Sequence, residues 1–221
     1  METRLLTVHS HRSPAVPAAL KPRKKPLQTR STATVDAIVE ATVRILRRDG
    51  WAACTTTRIA TLAGVSVGSL YQYFPNRNAI AVEIVRQRTR TYLTAVIAAD
   101  LSAAATPEET IEAAIAAFVT EKRKGLAVSL ALRDALPEVQ GRQAIIEEAR
   151  RFVPALQAKL ATAGARIDDP RQLAVALAAV EGAVWEMMAQ DEGAIERPEA
   201  IAALSRVFRA AAGFSPAAGA R

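Results

Sequence analysis

The feature that most limits how this chain can fold is a pair of short helical segments between residues 55 and 75. Thr55 and Ser66 are polar residues that can cap the amino termini of helices, and apolar residues at helical spacing follow each of them. Gly64 can end the first segment soon after it begins, and Pro75 ends the second. Two short helices joined by a glycine turn form a helix-turn-helix, whose second helix can enter the major groove of DNA.

The rest of the chain also follows helical spacing. A first helix is predicted from Thr34 to Asp49, and a long helix from Asn76 to about residue 104. Further helices are predicted at about 108–122, 124–136, 142–163, 170–190 and 198–213. Aromatic residues make up only 5% of the chain and strand-like alternation is hard to find, which disfavours a sandwich or barrel. The predicted fold is all-α, with a three-helix amino-terminal domain and a larger helical carboxy-terminal domain.

The net charge of +7 is unevenly distributed. Residues 1–33 carry +6, residues 34–91 carry +4 and residues 92–221 carry −3. A basic amino-terminal part on a mildly acidic remainder favours a polyanionic partner, most often nucleic acid. An anionic membrane surface is the alternative, but the basic segment contains prolines and lacks an amphipathic apolar face.

The segment from Thr55 to Arg77 reads TTTRIATLAGVSVGSLYQYFPNR and closely resembles the TetR family of one-component transcriptional regulators. The resemblance covers roughly residues 31–91. It implies a homodimer that binds a double-stranded DNA operator. The expected organisation is a disordered basic arm at 1–32, a helix-turn-helix DNA-binding domain at 33–91, a helical effector-binding and dimerisation domain at 92–214, and a tail at 215–221. The arm is either a solvated tail or a segment that follows DNA phosphates or the minor groove.

The resemblance also implies which residues contact DNA. Bases would be contacted by residues of the second short helix, namely Val67, Gly68, Ser69, Gln72 and Tyr73. Phosphates would be held by Thr56, Tyr71 and Arg77, and Thr55 is placed with them at the DNA surface. Many relatives carry lysine where this chain has Val67, so no sequence preference can be transferred. Tyr73 has an alternative role, packing beside the first helix, and Arg58 either touches the DNA backbone or is solvated.

The apolar residues of the same region predict a small core. Its expected members are Ile59, Ala60, Leu62, Ala63, Val65, Leu70 and Phe74. Cys54, the single cysteine of the chain, is interpreted as a small buried hydrophobe rather than a redox sensor.

The last two predicted helices are apolar on more than one face, and a helix of that kind needs two packing partners. The second partner is either another subunit or the same chain. The candidate dimer residues are Leu173, Leu177, Val180, Val184, Ile201, Leu204 and Phe208. Candidate residues for lining an effector pocket are Phe118, Leu130, Phe152, Trp185 and Met188, with Arg133 as a possible anchor for an anionic group. Each of these six has core packing as its alternative role.

The sequence offers no signature of an enzyme. Both histidines, His9 and His11, lie in the basic arm, so no Ser-His-Asp or Cys-His set is expected in the folded part, and no metal or cofactor is expected. None of the ten glycines builds a nucleotide-binding loop. The expected function is a cytoplasmic regulator, a repressor released from a palindromic operator by a small, largely apolar effector. The alternative is a transcriptional activator, or a weakly specific DNA-binding protein, of the same fold.

Overall fold

The computed structural model describes residues 29–133 and 141–214, and every regular element in those two ranges is helical. These two ranges contain nine α-helices, which are α1 (Thr29–Asp49), α2 (Thr56–Ala63), α3 (Val67–Tyr73), α4 (Arg77–Ala98), α5 (Pro107–Lys124), α6 (Leu126–Arg133), α7 (Gly141–Thr162), α8 (Pro170–Gln190) and α9 (Glu199–Ala211). Two 3-10 turns, Trp51–Ala53 and Ala194–Glu196, complete the regular structure of the described residues. Residues 1–28 of the predicted arm and the tail at 215–221 lie outside them, whereas residues 29–32, predicted as part of the disordered arm, are helical.

Two predicted helix boundaries were wrong. The helix α1 begins at Thr29 rather than Thr34, in a stretch without a sequence signal for a helix start. The helix α4 ends at Ala98 rather than near residue 104. The Asp100 carboxylate accepts a hydrogen bond from the Ser102 amide at 3.0 Å, a local turn that replaces further helical hydrogen bonding.

A first hydrophobic core, called here the upper core, joins α1, α2, α3 and the first half of α4. Its centre is formed by fully buried side chains such as Ile38, Ile59, Leu70, Phe74 and Ile80. It does not stop at the helix-turn-helix, because α6 and the start of α7 also contribute to it. These contributions are Val128, Leu132, Ala144 and Ile145. The amino-terminal helices therefore share a packed interior with the helices that follow them.

A second core, the lower core, joins the second half of α4 with α5, α7, α8 and α9. The helix α4 packs along α7 and α5, and α8 packs along α9. Along α4, Val85 is the last side chain of the upper core and Tyr92 the first of the lower core. The intervening turn carries arginines, so the junction of the two cores is polar.

Of the described helices, only α8 is long and apolar enough to cross a membrane by those two criteria. Leu173, Val180, Val184 and Met188 lie on one face of it and are buried in the lower core. This face packs in the bundle between α7 and α9, whereas the other side of the helix is accessible, as at Val175.

Candidate nucleic-acid interface and ligand cavity

The two helices of the helix-turn-helix are capped by the residues that the sequence indicates. The Thr55 hydroxyl accepts a hydrogen bond from the Arg58 amide at 3.3 Å, and the Ser66 hydroxyl accepts one from the Ser69 amide at 2.9 Å. Gly64 ends α2 with φ at 69°, a left-handed conformation that favours glycine. These caps fix where α3 begins and so which of its side chains point outward.

The outer side of α2 and α3 brings together several of the predicted DNA-contacting residues. The hydroxyl oxygens of Thr56 and Tyr71 lie 3.2 Å apart and hydrogen bond. Tyr71 is 41% exposed, and Gln72 is exposed beside it. A Cβ atom added to Gly68 would meet only the Ser66 hydroxyl, at 3.8 Å, so no packing inside the chain requires glycine there. The result is an open polar surface on which a ligand could approach the α3 backbone closely.

Three of the residues predicted to contact bases, Val67, Ser69 and Tyr73, are partly buried instead of fully outward. Val67 and Tyr73 both pack against the upper core, and for Tyr73 this is the alternative role recognised in the sequence. Leu62 was predicted to lie in the core, and this prediction was wrong, because its side chain is 44% exposed. The buried side of α2 carries Ile59 and Ala60, and Leu62 falls on the other side of this short helix.

The arginines of this region are bound to other parts of the chain. The Arg77 guanidinium lies over the Trp51 ring, 4.8 Å from its centroid, and donates a hydrogen bond to the Trp51 carbonyl at 3.3 Å. Arg58 pairs with Asp49 at the end of α1. Desolvation alone would raise the pKa of Asp49, but the hydrogen bonds and charges of Arg48 and Arg58 outweigh it and lower that pKa.

Other arginines of α4 point away from the helix-turn-helix. Arg86 pairs with Glu147 at 3.3 Å, and Arg90 pairs with Glu83 at 2.7 Å and with the buried Glu148 at 3.2 Å. Part of the +4 charge of residues 34–91 is therefore used to join α4 to α7 rather than to face a polyanion.

The lower core encloses a cavity of about 60 Å3, called here the apolar cavity. All five of the helices α4, α5, α7, α8 and α9 line it, through side chains such as Leu93, Ile115, Leu156, Val180 and Phe208. Of the predicted pocket residues, Phe118 lines this cavity. Met188 is packed in the core, and Leu130 and Phe152 lie partly buried against it. The side chain of Arg133 lies outside the described residues.

A smaller cavity of about 30 Å3, called here the basic recess, adjoins the apolar cavity at the junction of the two cores, and its mostly apolar wall carries three charged residues. Its charged residues are Arg88 on α4, Lys122 on α5 and Glu181 on α8. Lys122 is 2% exposed and donates a hydrogen bond to Glu181 at 2.5 Å, while its ammonium lies 4.9 Å from the centroid of the Tyr92 ring. A third space of about 150 Å3, the outer groove, lies between α7 and α8 and shares Glu181 and Trp185 with the recess.

Residues 38–84 match the family model described as bacterial regulatory proteins, tetR family. The amino-terminal domain belongs to the TetR family. Proteins of this family are DNA-binding transcriptional regulators, and the chain carries their DNA-binding domain. A sequence comparison with curated proteins finds no match.

Solved structures of TetR-family and related regulators share the fold. The TetR family repressor AlkX from Dietzia sp. strain DQ12-45-1b, implicated in biodegradation of n-alkanes, is 18% identical with a TM-score of 0.59 over 87% of this chain and 96% of that one. A TetR transcriptional regulator from Rhodococcus sp. RHA1 is 17% identical, with a TM-score of 0.55. The match covers 82% of this chain and 97% of that one. The fatty acid degradation regulator FadR from Bacillus halodurans is 20% identical, with a TM-score of 0.53. The match covers 86% of this chain and 96% of that one.

The carboxy-terminal helices bury most of the side chains that the sequence indicates for a dimer interface. Leu173, Val180, Val184, Leu204 and Phe208 are all buried within this one chain. They are therefore unavailable to a second copy in this conformation. Their packing partner is the same chain, which was the alternative to a dimer interface. The two remaining candidates, Leu177 and Ile201, are partly buried. The most exposed large apolar residue of the described chain is Val175, on the outer side of α8, at 57%.

The charged set of the basic recess was not found from the sequence. A signal for it exists, because Lys122 follows Ile111, Ile115 and Phe118 on the buried side of α5 at helical spacing. Glu181 likewise interrupts an apolar run on α8. A charged side chain at a buried position of a helix needs a partner of opposite charge, and Lys122 and Glu181 are such partners.

Cys54 is buried in the TetR-type domain, as the sequence predicts. Its side chain is fully buried, with Sγ 3.6 Å from the Gly50 carbonyl oxygen and 3.9 Å from that of Thr42. Burial raises the pKa of the Cys54 thiol, so less of the reactive thiolate forms at neutral pH.

Proposed function

We propose that this chain is a sequence-specific, homodimeric repressor that leaves a palindromic operator when a small, largely apolar effector binds its carboxy-terminal domain. The observation that supports it best is the open polar surface of α2 and α3. There Gly68 has no packing role, and Tyr71 and Gln72 lie exposed beside it. A recognition helix needs such a surface, because its side chains and backbone must reach base edges and phosphates.

In this proposal, Ser69 and Gln72 contact bases, and the hydrogen-bonded pair Thr56 and Tyr71 holds phosphates. Thr55 lies exposed at the same surface. Val67 and Tyr73 keep their predicted base contacts through the parts of their side chains that the core leaves accessible. Arg77 would first have to leave Trp51 before it could reach a phosphate. The protein acts in the cytoplasm, where its operator would be.

The dimer that we propose uses the outer side of α8 and α9. Val175 is exposed there, and Ala178 and Gly182 follow it at helical spacing, so a second copy could approach the α8 backbone closely. Ile201 and Leu177 would complete the contact with their accessible parts. Two-fold symmetry would place the two recognition helices roughly 34–36 Å apart, one helical turn of DNA.

The effector is proposed to enter the lower core, where the apolar cavity touches all five helices of the domain. Its effect on DNA requires a difference in affinity between two arrangements of the domain. The helix α4 is suited to transmit that difference, since it carries side chains of both cores.

Selection of bound fragments from sheared genomic DNA, at about 0.15 M salt, tests this function. We expect one enriched motif with two-fold symmetry, and loss of that enrichment with the Gln72→Ala variant. Recovery of diffuse sequences, before and after refolding without any bound effector, would instead favour a weakly specific DNA-binding protein. An activator would give the same motif, and a transcription assay with the operator upstream of a promoter separates it from a repressor.

A further inference from the structure

The basic recess contains one more positive than negative charge. Lys122 and Glu181 neutralise each other at 2.5 Å. Arg88 donates a hydrogen bond through Nε to the neutral Tyr92 hydroxyl at 3.2 Å, and its Nη2 is buried without a hydrogen-bond partner. A buried guanidinium N–H without an acceptor is costly and uncommon, so its presence needs a reason.

The Arg88 guanidinium packs closely against the backbone at Gly125. A Cβ atom added to Gly125 would lie 1.3 Å from Nη2, so only glycine between α5 and α6 leaves room for the guanidinium. On its other side the guanidinium lies over the Tyr92 ring, 5.1 Å from the centroid. Arg88 therefore lies between Gly125 and Tyr92 in the wall of the recess, with its Nη2 donor unpartnered beside Gly125.

The basic recess and the apolar cavity share four wall residues, Thr89, Tyr92, Ile145 and Glu181. A molecule with its polar end in the recess would thus have its remainder among the apolar side chains of the lower core. The cavities of about 30 and 60 Å3 must widen to admit such a molecule, so it would stabilise a more open arrangement of the helices.

The side chains that already lie in the recess determine which charge the polar group of a ligand would need. The aromatic rings and Glu181 would suit a cation, but the Lys122 ammonium fills that position, 4.9 Å from the Tyr92 ring and 5.5 Å from the Phe118 ring. The charge that remains without a partner is the positive one of Arg88. An anionic group would complete it, with two N–H donors of a guanidinium matching a carboxylate.

We propose that the effector is an amphipathic acid, whose single anionic group binds Arg88 and Lys122 in the basic recess and whose apolar part fills the apolar cavity. This inference rests on the proposed effector role of the carboxy-terminal domain. The anion would sit where the two cores meet on α4, against Val128 and Leu132 of α6, which belong to the upper core. Binding there would act directly on the junction between the ligand cavity and the DNA-binding domain.

Isothermal titration of the full-length protein with matched probes tests the proposal. The probes are octanoate, decanoate, dodecanoate and phenylbutyrate, with dodecanol and dodecyltrimethylammonium as neutral and cationic counterparts. We expect at least one acid to bind, and the alcohol and the ammonium compound to bind about 10-fold more weakly or not at all. Equal binding of all three head groups, or no binding by any acid, would overturn the proposal.

Variants separate an anion-binding role of Arg88 from a structural one. Arg88→Gln should weaken acid binding about 10- to 100-fold while the melting temperature of the free protein changes little, because the unsatisfied Nη2 donor is removed together with the contacts to Tyr92. Arg88→Lys should restore part of the affinity. The control is Arg166→Gln, which removes an arginine that is 77% exposed in the same domain and should leave acid binding unchanged. Unchanged acid binding in Arg88→Gln would also overturn the proposal.

The same samples distinguish failure of this inference from failure of the proposed function. DNA binding to the selected motif is measured for each variant, and it should persist in Arg88→Gln. If the motif is bound but no acid is, the regulator stands and the amphipathic acid is wrong. If no motif is found but an acid binds at Arg88, the ligand site stands and the regulator is wrong.

Discussion

The Tyr71 hydroxyl of α3 and the Thr56 hydroxyl of α2 lie 3.2 Å apart, so the two helices of the DNA-binding unit are linked by a hydrogen bond on their exposed side. This bond orients the phenol oxygen before any DNA is present. A group held in position loses less conformational entropy on binding than a free one, which favours a phosphate contact at this point.

Tyr71→Phe and Gln72→Ala should weaken DNA binding in different ways. Loss of the Tyr71 hydroxyl should weaken binding to all sequences alike, because phosphates carry no sequence information. Gln72→Ala should lose preference at one base position, at a cost of about 1–3 kcal/mol. Binding to a library of single-base variants of the selected site measures both effects. A uniform loss for Gln72→Ala would remove it from the base-contacting residues.

Gly68→Ala should raise stability and lower DNA affinity. The added methyl group meets only the Ser66 hydroxyl, at 3.8 Å, and alanine favours a helix over glycine by roughly 0.5–1 kcal/mol. The methyl group would stand between α3 and DNA. Urea denaturation and DNA titration check the two effects, and Gly64→Ala, at φ of 69°, should instead destabilise the fold. Unchanged DNA affinity in Gly68→Ala would show that DNA does not approach α3 at that residue.

Asp49→Asn should lower the melting temperature at neutral pH, with a smaller difference in acid. The pKa of Asp49 is lowered in the folded state by Arg48 and Arg58, so its stabilising effect is present above its ordinary value of about 4 and is lost as the pH falls through the folded value. Melting curves between neutral pH and acid measure it. Glu40→Gln is the control, because its pair with Arg44 is exposed on both sides and should contribute little. A difference that does not depend on pH would contradict the assignment.

Val175→Asp should weaken the proposed dimer without unfolding the chain. The side chain is 57% exposed in one chain, so the substitution costs little there, whereas a two-fold interface would bury a carboxylate in each copy. We expect the dissociation constant of the dimer to rise about 10-fold or more, as measured by analytical ultracentrifugation. Leu62→Asp, which places the same charge at an exposed apolar residue of α2, should leave the oligomeric state unchanged. A Val175→Asp protein that dimerises normally would move the interface elsewhere.

Cys54 should resist thiol reagents in the native protein and react after denaturation. Its side chain is buried, and burial raises the pKa of the thiol, so both access and thiolate formation are reduced. Labelling with a chromogenic disulfide reagent, with and without urea, measures this. Rapid labelling of the folded protein would instead indicate a reactive cysteine and reopen a redox role.

The sequence predicted the parts of the fold that depend on local chemistry. Thr55 and Ser66 cap helices as expected, because a short polar side chain before an apolar stripe has few other roles, and Asn76, where the long helix was predicted to begin, caps α4. The early start of α1 at Thr29 was missed, since residues 29–34 contain no large apolar residue that would show helical spacing.

What the sequence left open depends on which neighbour a side chain meets. Leu62 and Leu70 are both leucines in short helices, yet only Leu70 is buried, because only its side of the helix-turn-helix faces α1 and α4. Leu173 and Val180 look equally suited to a partner chain or to a core, and the packing of α9 and α7 decides for the core. Lys122 and Glu181 lie far apart in the sequence, and only the folded bundle brings them together.

The upper core runs through α6 and the start of α7, and this limits how such a protein can be recombined. A chimera joining residues 29–98 to the body of another regulator would cut that core and replace Val128, Leu132, Ala144 and Ile145 with side chains of other shapes. A transplant that carried these four residues along would keep the packing intact. New ligand specificity can then be introduced by mutation in α5, α8 and α9, while the surface on which the DNA-binding domain rests stays as it is.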